Sequence, residues 1–288
     1  MALSIVYLNG KYIPEESATV SVLDRGFIFG DGVYEVIPVF GRHILRLAEH
    51  LSRLGNSLAG IYLENPHTDA EWRAIVETLL ARNPGAENRS VYLQITRGAG
   101  ERGHVPSKAL LPTVFAMCNP IPDRDYTHGV SVITHEDIRW QYCNIKVTSL
   151  LPNVLLRHRA KERDGSIEAI LLRDGRVTEG AASNVFVVHG RRITTPPKDN
   201  SLLPGITRDL VVDLLRGAGL GCEEAVITRA ELLAADEVWI TSSMMGIAPV
   251  SKLDGKAVGN GKPGAVWREA DTIYQAFKLE GAGGVARN

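Results

Sequence analysis

The sequence has few cysteines and no long apolar run. Its 288 residues include three cysteines, Cys118, Cys143 and Cys222, which are widely spaced and form no CxxC pair. An odd number without such a pair argues against a disulfide framework and a zinc site. No segment reaches the roughly 18 apolar residues of a membrane-spanning helix, and the first residues lack the pattern of a signal peptide. We therefore expect a cytoplasmic protein without a metal ion or a membrane contact.

An excess of charge of either sign is also missing. Lysine and arginine number 32 and aspartate and glutamate number 33, so the formal net charge is −1. A chain with this balance has no overall field that attracts nucleic acid, and we expect no nucleic-acid partner. Any anion that the chain binds must be met by a local arrangement of donors.

Several catalytic motifs are absent. The sequence has no GxSxG elbow, no HExxH and no GxxxxGK[ST] loop, and its eight histidines show no metal-ligand spacing. The stretch "GAGERG" (98–103) has the GxGxxG spacing, but "HVPSKALLP" follows it instead of the helix that a pyrophosphate requires. These absences leave the chemistry of lysine, glutamate, arginine and hydroxyl groups.

The pattern of strands and helices predicts an α/β protein with two domains. "LSIVYLNGKYI" indicates a hairpin around Asn9-Gly10, and the strand "VYEVIPVF" follows. One helix is expected to carry a leucine stripe, and the next to begin at the cap Asp69. The stripe consists of Leu47, Leu51, Leu54 and Leu58. Prolines in "NPIPDRDYTHG" indicate a linker, so we predict an N-terminal domain over 1–119, a linker over 120–128 and a C-terminal domain over 129–288.

Lys146 is a candidate nucleophile. It lies in "WQYCNIKVTSLLPN", flanked by Ile145 and Val147, between a predicted strand and a predicted helix. An amine in partly apolar surroundings loses its proton more easily, which attack on an aldehyde requires. Taken alone, a lysine of this kind is far more often an ordinary surface lysine in a turn.

Glu179 is a candidate partner for a basic ring nitrogen. In "GRVTEGAASNVFVV" it ends a predicted strand, and the small residues Ala181 and Ala182 leave room for a flat ring. A carboxylate there can keep a pyridine nitrogen protonated, which makes the ring an electron sink. The alternative is an ion pair with Arg173 or Arg176, and the residues alone leave both interpretations open.

Phosphate would suit the stretch "LPGITRD". The N–H groups of Ile206 and Thr207 open a predicted helix, and the Thr207 hydroxyl adds a donor. "ITSS" provides Ser242 and Ser243 at the end of another predicted strand, and Arg53 would add a full charge. Taken singly, each is also compatible with a cap, a turn or a surface arginine.

Seven segments in order resemble the fold-type IV pyridoxal-phosphate enzymes, and most of all the bacterial D-amino acid transaminases. They are "DRGFIFGDGVYEV", "HLSRL", "ITRGAGERGH", "EDIRWQYCNIKVTSLLPN", "VTEGAASNVF", "LLPGITRD" and "EVWITSS". The resemblance extends to about Glu280. It implies a two-domain α+β fold with a smaller N-terminal α/β domain, a larger C-terminal domain with a β-barrel-like sheet, pyridoxal 5′-phosphate between them, and usually a homodimer.

The same resemblance assigns site residues. It implies that Lys146 is the Schiff-base lysine and that Glu179 is the partner of the pyridine nitrogen. The residues that match phosphate or ring contacts are Arg53, Ile206, Thr207, Ser242, Ser243 and Leu203. Tyr34, Arg102 and His104 match the residues that hold the substrate carboxylate, for which a guanidinium provides two charge-assisted hydrogen bonds.

The implied reaction is transamination between a D-amino acid, such as D-alanine, and a 2-oxo acid, such as 2-oxoglutarate, in ping-pong order through pyridoxamine phosphate. A branched-chain L-amino acid transaminase, an (R)-amine transaminase and aminodeoxychorismate lyase share most of these motifs and remain alternatives. The Arg102 and His104 loop favours the D-amino acid enzyme. Met244, Met245 and Gly246 depart from its pattern, so the range of side chains stays open.

Overall fold

The computed structural model describes residues 4–107 and 110–281, which fold as two compact units. The first unit runs up to residue 122 and also includes residues 145–149. The second unit consists of residues 123–144 and of the chain from residue 150 onward. Segment 145–149 therefore belongs to the first unit, whereas the residues on both sides of it belong to the second. The domain and linker boundaries proposed from the sequence stay predictions.

An antiparallel six-stranded sheet forms the centre of the first unit. Its strands are β1 (Ile5–Leu8), β2 (Lys11–Pro14), β3 (Gly32–Phe40), β4 (His43–Ile44), β5 (Asn88–Thr96) and β6 (Thr113–Pro120). They lie in the order β2-β1-β6-β5-β3-β4. The helices are α1 (Arg25–Phe29), α2 (Leu47–Gly60) and α3 (Asp69–Arg82). Helices α2 and α3 share one apolar core with the sheet.

Local signals in the sequence account for most of this unit. The predicted hairpin is confirmed, since Asn9 and Gly10 have φ of 47° and 87° between β1 and β2, as a type I′ turn requires. All four leucines of the predicted stripe on α2 are buried. The predicted cap of α3 is wrong by one residue, because Thr68 is the cap and forms a capping box with Glu71.

The second unit contains a curled sheet of nine strands. The strands are β7 (Val130–Glu136), β8 (Glu168–Arg173), β9 (Arg176–Gly180), β10 (Asn184–His189), β11 (Arg192–Thr195), β12 (Cys222–Glu224), β13 (Glu237–Ser242), β14 (Gly246–Leu253) and β15 (Lys256–Ala257). The main order is β12-β11-β10-β13-β14-β7-β8-β9, and β15 pairs with β14. The Asn184 side chain at the start of β10 donates a hydrogen bond to the Glu179 side chain near the end of β9.

Four helices accompany this sheet. They are α4 (Leu151–Asp164), α5 (Ile206–Gly217), α6 (Arg229–Leu233) and α7 (Ala265–Gly281). Strand β13 is buried on both faces, since Val238 and Ile240 join one core, while Trp239 joins a second core that α5 and α7 cover. None of the helices in the described part of the chain is long and apolar enough to cross a membrane. The predicted mixed α/β fold with a barrel-like sheet is confirmed.

Candidate active site

Lys146 is fixed against strand β3 in the first unit. Its carbonyl accepts a hydrogen bond from the Tyr34 N–H at 3.0 Å, and its own N–H donates to the Ser57 hydroxyl of α2 at 3.1 Å. The Thr148 N–H donates to the Gly32 carbonyl at 3.0 Å. Segment 145–149 thus lies along β3 like a short additional strand, which determines where the lysine side chain starts.

The Lys146 amine lies over the ring of Tyr34. The distance from Nζ to the ring centroid is 4.1 Å, within the range of a cation–π contact. Tyr34 in turn stacks on Tyr92, with 5.6 Å between ring centroids. The structure therefore brings together two of the predicted site residues, the lysine and the tyrosine.

Arg53 is held by a buried carboxylate that the sequence did not indicate. Glu35 is fully buried and accepts hydrogen bonds from Arg53 Nε at 2.7 Å and from Arg53 Nη2 at 2.8 Å. His50 Nδ1 lies 2.7 Å from the same carboxylate. This arrangement fixes the guanidinium plane of Arg53 from one side.

The electrostatics of this cluster involve the lysine as well. Burial alone would raise the pKa of Glu35, but the Arg53 guanidinium and His50 hold it well below its usual value. Burial lowers the pKa of His50 against the opposing effect of Glu35, and the charge of Lys146 lowers it further. Within the first unit, the charge of Lys146 therefore acts on the cluster of Glu35, Arg53 and His50. Two cationic groups, Arg53 and Lys146, thus lie near one carboxylate.

Glu179 lies near the end of β9 in the second unit and pairs with Arg139. Arg139 Nη1 donates to Glu179 Oε1, and Arg139 also donates two hydrogen bonds of 2.9 Å to Asp137. The ion pair expected as an alternative therefore forms, but with a different arginine. Arg173 instead donates to Asp137 at 2.8 Å. Arg139 stands within one of the quoted segments, yet no local pattern marked it.

The environment of Glu179 brings its pKa close to neutral pH. Burial raises the pKa of Glu179 to about 7, although the charge and hydrogen bond of Arg139 and the Leu203 backbone N–H act in the opposite direction. The Arg139 pKa is raised, because Asp137 and Glu179 together outweigh the effect of its burial. The carboxyl group can thus change its protonation when a basic ring nitrogen approaches, while the arginine stays charged.

Asn184 connects Glu179 to the start of helix α5. Its Nδ2 donates to the Leu203 carbonyl at 2.9 Å and to Glu179 Oε2 at 3.2 Å. Its Oδ1 lies where a side chain of Gly205 would stand, so only glycine fits at that position. Because Gly205 is the cap of α5 and offers no side chain, the cap residue makes no side-chain hydrogen bond to the first N–H groups of the helix.

The predicted phosphate residues of the second unit lie at two places, the start of helix α5 and the end of strand β13. Ile206 and Thr207 are the first residues of α5 and are buried, and N–H groups at such a position lack acceptors within the helix. Ser242 ends β13, and Ser243 follows it. Both serines are half-buried. The donors at these two places are the kind that a phosphate group requires.

The methionines after Ser243 differ from each other. Met245 packs against the apolar core of the second unit. Met244 is 38% exposed. Met245 therefore fills space in the core, whereas the exposed part of Met244 is available for other contacts.

Arg102 and His104 lie on an exposed loop of the first unit. The Arg102 guanidinium lies 5.5 Å from the centroid of the Phe29 ring, and the His104 ring lies 5.8 Å from it. Arg25 steadies this loop by donating to the carbonyl oxygens of Gly103 and His104. Arg102 and His104 thus lie against the same ring, that of Phe29. Their described ring contacts do not include Tyr34, the third residue predicted to bind the substrate carboxylate.

The first unit therefore offers an amine over an aromatic ring, and the second unit offers a buried acid and a helix start without a side-chain cap. The amino-transferase class IV family model matches residues 32–253. A D-alanine aminotransferase of Bacillus licheniformis is 40% identical over 94% of this chain and 95% of its own length. A D-alanine aminotransferase of Staphylococcus haemolyticus is 37% identical over 94% of this chain and 97% of its own length. The chain belongs to the class IV aminotransferase family.

Solved structures match nearly the whole chain. The branched-chain amino acid aminotransferase of Escherichia coli has a TM-score of 0.87 and 26% identity, with 99% of this chain and 97% of that chain covered. The corresponding enzyme of T.th., solved with pyridoxamine 5′-phosphate, has a TM-score of 0.90 and 26% identity, with 99% and 96% covered. This chain is a pyridoxal-phosphate-dependent aminotransferase of fold type IV.

The residues present fit this cofactor. The N–H groups at the uncapped start of α5 suit its phosphate. The Glu179 carboxyl, with its pKa raised to about 7 by burial, suits a pyridine nitrogen. The Lys146 amine suits an aldehyde.

Proposed function

We propose that the protein transfers amino groups between D-amino acids and 2-oxo acids. The observation that carries this proposal is the loop on which Arg102 and His104 stand together, because an arginine and an imidazole are suited to hold a substrate carboxylate. The relatives named D-alanine aminotransferase support the same substrate class. We also propose that the protein is cytoplasmic, in keeping with its three cysteines, all free and buried. We propose a homodimer on the resemblance to the family alone.

In this proposal Lys146 is the Schiff-base lysine, and it has two tasks. Its Nζ would hold the aldehyde carbon of bound pyridoxal phosphate, and the amine, once released by the substrate amine, would act as the base for the α-proton of the substrate. Pyridoxal phosphate supplies an electron sink for the carbanion and a carrier for the amino group. Because a single amine would move this proton, the direction in which Tyr34, Arg102 and His104 hold the substrate carboxylate would set the handedness of the substrate.

The other proposed site residues bind and orient the cofactor and the substrate. Glu179 would accept a hydrogen bond from the ring nitrogen of the cofactor and keep that nitrogen protonated, and Leu203 would pack against the ring. The proposed phosphate donors are Arg53, Ile206, Thr207, Ser242 and Ser243. Tyr34, Arg102 and His104 bind the substrate carboxylate. A branched-chain L-amino acid is the second candidate substrate. The observation behind this second candidate is the likeness to the solved branched-chain enzymes.

A test of the substrate class follows the absorbance of the holoenzyme with one amino donor at a time. We expect D-alanine to convert the bound cofactor to its pyridoxamine form and 2-oxoglutarate to reverse the change, while L-leucine and (R)-1-phenylethylamine leave the spectrum unaltered. Conversion by L-leucine or by the amine, in place of D-alanine, would contradict the proposal. Conversion by none of them would favour a lyase.

Replacing Arg102 by alanine is expected to lower kcat/KM for D-alanine at least tenfold, with the spectrum of the bound cofactor unchanged. The reason is the loss of a charged hydrogen bond to the carboxylate, which typically contributes about 1.5–3 kcal/mol. Glu101→Ala, on the same exposed loop, is the matched control and should keep normal kinetics. Unchanged D-alanine kinetics in Arg102→Ala would reject the role of this residue.

A further inference from the structure

The loop that carries Arg102 and His104 is bonded at both of its ends to one residue, Arg25. The backbone N–H of Arg25 donates to the Gly98 carbonyl at 2.9 Å, shortly after the end of β5. The Arg25 guanidinium donates to the carbonyl oxygens of Gly103 at 2.5 Å and of His104 at 3.1 Å. Arg102 stands between these two bonded points in an exposed stretch. The bonds of Arg25 thus fix the path of the loop on both sides of Arg102.

Arg25 is in turn held by Asp31. Arg25 Nε donates to Asp31 Oδ2 at 2.8 Å, and the Arg25 side chain is 6% exposed. The same carboxylate accepts hydrogen bonds from Arg97 at 2.9 and 3.0 Å. Burial alone would raise the pKa of Asp31, but the bonds from Arg97 and Arg25 hold it below its usual value. Because a guanidinium is planar, a bond at Nε directs the two terminal nitrogens of Arg25 toward the loop.

Phe29, on the same short helix α1, supports the side chains of the loop. The Arg25 guanidinium carbon lies 4.8 Å from the centroid of the Phe29 ring, and that of Arg102 lies 5.5 Å from it. The His104 ring lies 5.8 Å away. Cations at such distances are attracted to an aromatic face. Helix α1 thus contacts the backbone of the loop through Arg25 and two of its side chains through Phe29.

A loop that is fixed in advance binds a ligand more tightly. Residues 97–107 lie outside the helices and strands, and a stretch of this kind loses conformational freedom when a ligand orders it. That loss weakens binding, and it is smaller for a loop that is already held in the bound arrangement. Arg25 should therefore affect the affinity for the substrate, because its side-chain bonds go to the loop and to Asp31.

We propose that Arg25 is a positioning residue for the substrate carboxylate, which holds Arg102 and His104 in their binding arrangement before the substrate arrives. This inference rests on the proposed function, in which those two residues bind the carboxylate. It gives a role in substrate affinity to α1, which provides none of the proposed substrate contacts. Asp31 acts one step further away, since it directs the guanidinium of Arg25.

The first test measures whether Arg25 holds the loop. Trypsin cleaves after arginine, so its rate of cleavage after Arg102 in the folded holoenzyme reports how freely the loop moves. Arg25→Met should be cut there about fivefold faster or more, the size of one lost hydrogen bond. Arg89→Met is the matched control, because Arg89 also donates to two backbone carbonyls, those of Leu80 and Asn83, each at 2.9 Å. An unchanged rate in Arg25→Met, or an equal increase in both variants, would overturn the inference.

The second test separates binding from chemistry. Single-turnover conversion of the holoenzyme by D-alanine gives an apparent Kd for the donor and a limiting rate. Arg25→Met is expected to raise the Kd about fivefold or more and to leave the limiting rate within about twofold. In a background of Arg102→Ala and His104→Ala it should have no further effect on the Kd, because the same interaction is already lost. An undiminished effect in that background, or a lower limiting rate with an unchanged Kd, would contradict the inference.

Two further variants make the outcomes distinguishable. If Arg102→Ala raises the Kd for D-alanine and Arg25→Met does not, the proposed function stands and our inference is wrong. If Arg102→Ala leaves the Kd unchanged, the proposed role of the loop is wrong and the inference falls with it. Arg25→Lys keeps a charge beside Asp31 but not the planar fork. It should show both effects even if Arg25→Met does not fold, and a native cleavage rate and Kd in Arg25→Lys would overturn the inference.

Discussion

Replacing Arg139 by methionine is expected to shift the acid limb of the pH dependence of kcat/KM upward and to lower activity at pH 7 about fivefold for the first unit by which the pKa of the Glu179 carboxyl rises above 7. In the native protein burial raises the pKa of Glu179 to about 7, and Arg139 acts against that rise. Without the arginine the carboxyl group stays protonated to higher pH, and a neutral carboxyl group no longer stabilises a protonated ring nitrogen. A rise of the pKa by one unit above 7 lowers the charged fraction at pH 7 from about one half to about one eleventh, and well below pH 7 the loss is about tenfold.

Arg173→Met is the matched control for this prediction. Arg173 belongs to the same cluster through Asp137 but makes its hydrogen bond to that residue and not to Glu179. It should therefore leave the acid limb in place. Removing one partner of a buried ion pair typically costs about 3–5 kcal/mol of stability, so far-UV circular dichroism must confirm folding of Arg139→Met. An unshifted limb in a folded variant would show that Arg139 does not control the protonation of Glu179.

Substituting alanine for Lys146 is expected to produce the largest loss of activity, on the order of a thousandfold or more. Both proposed tasks of the amine disappear together, and proton transfer by a positioned base alone typically contributes about 10²–10⁴-fold. Borohydride reduction gives an independent readout, because it fixes a carbonyl compound to the amine that holds it. The native holoenzyme should gain the mass of the cofactor on the peptide that contains Lys146, and the variant should not.

Lys161→Ala is the control for this experiment, since Lys161 is exposed in the last turn of α4. It should retain both the activity and the mass gain. Covalent capture of the cofactor at another lysine in the native protein would refute the role of Lys146. Retention of full transaminase activity in Lys146→Ala would refute it as well.

Short-range patterns in the sequence were sufficient for much of the fold. The Asn9-Gly10 turn and the leucine stripe of α2 both express backbone preferences that act within a few residues. The wrong cap of α3 came from choosing between two adjacent cap-forming residues. The spacing of Thr68 and Glu71 is that of a capping box, and this signal would have identified Thr68.

The partners that set the charge state of the site could not be read in the same way. Arg139 and Glu179 lie 40 positions apart, and Glu35 and Arg53 lie 18 apart. Such pairs depend on which strands and helices meet, and many arginines in a sequence are equally plausible partners. The glutamate and the arginines were visible as residue types, but their pairing required the folded chain.

The return of segment 145–149 to the first unit has a consequence for how the protein is made. The last of these residues is added 27 positions after residue 122, where the first unit otherwise ends. At about 5–20 residues per second, the ribosome needs roughly one to five seconds for that stretch. During this interval the N–H of Tyr34 and the carbonyl of Gly32 await their partners in the nascent chain. A fragment that ends at residue 122 would therefore lack both the segment that bonds to β3 and Lys146 itself.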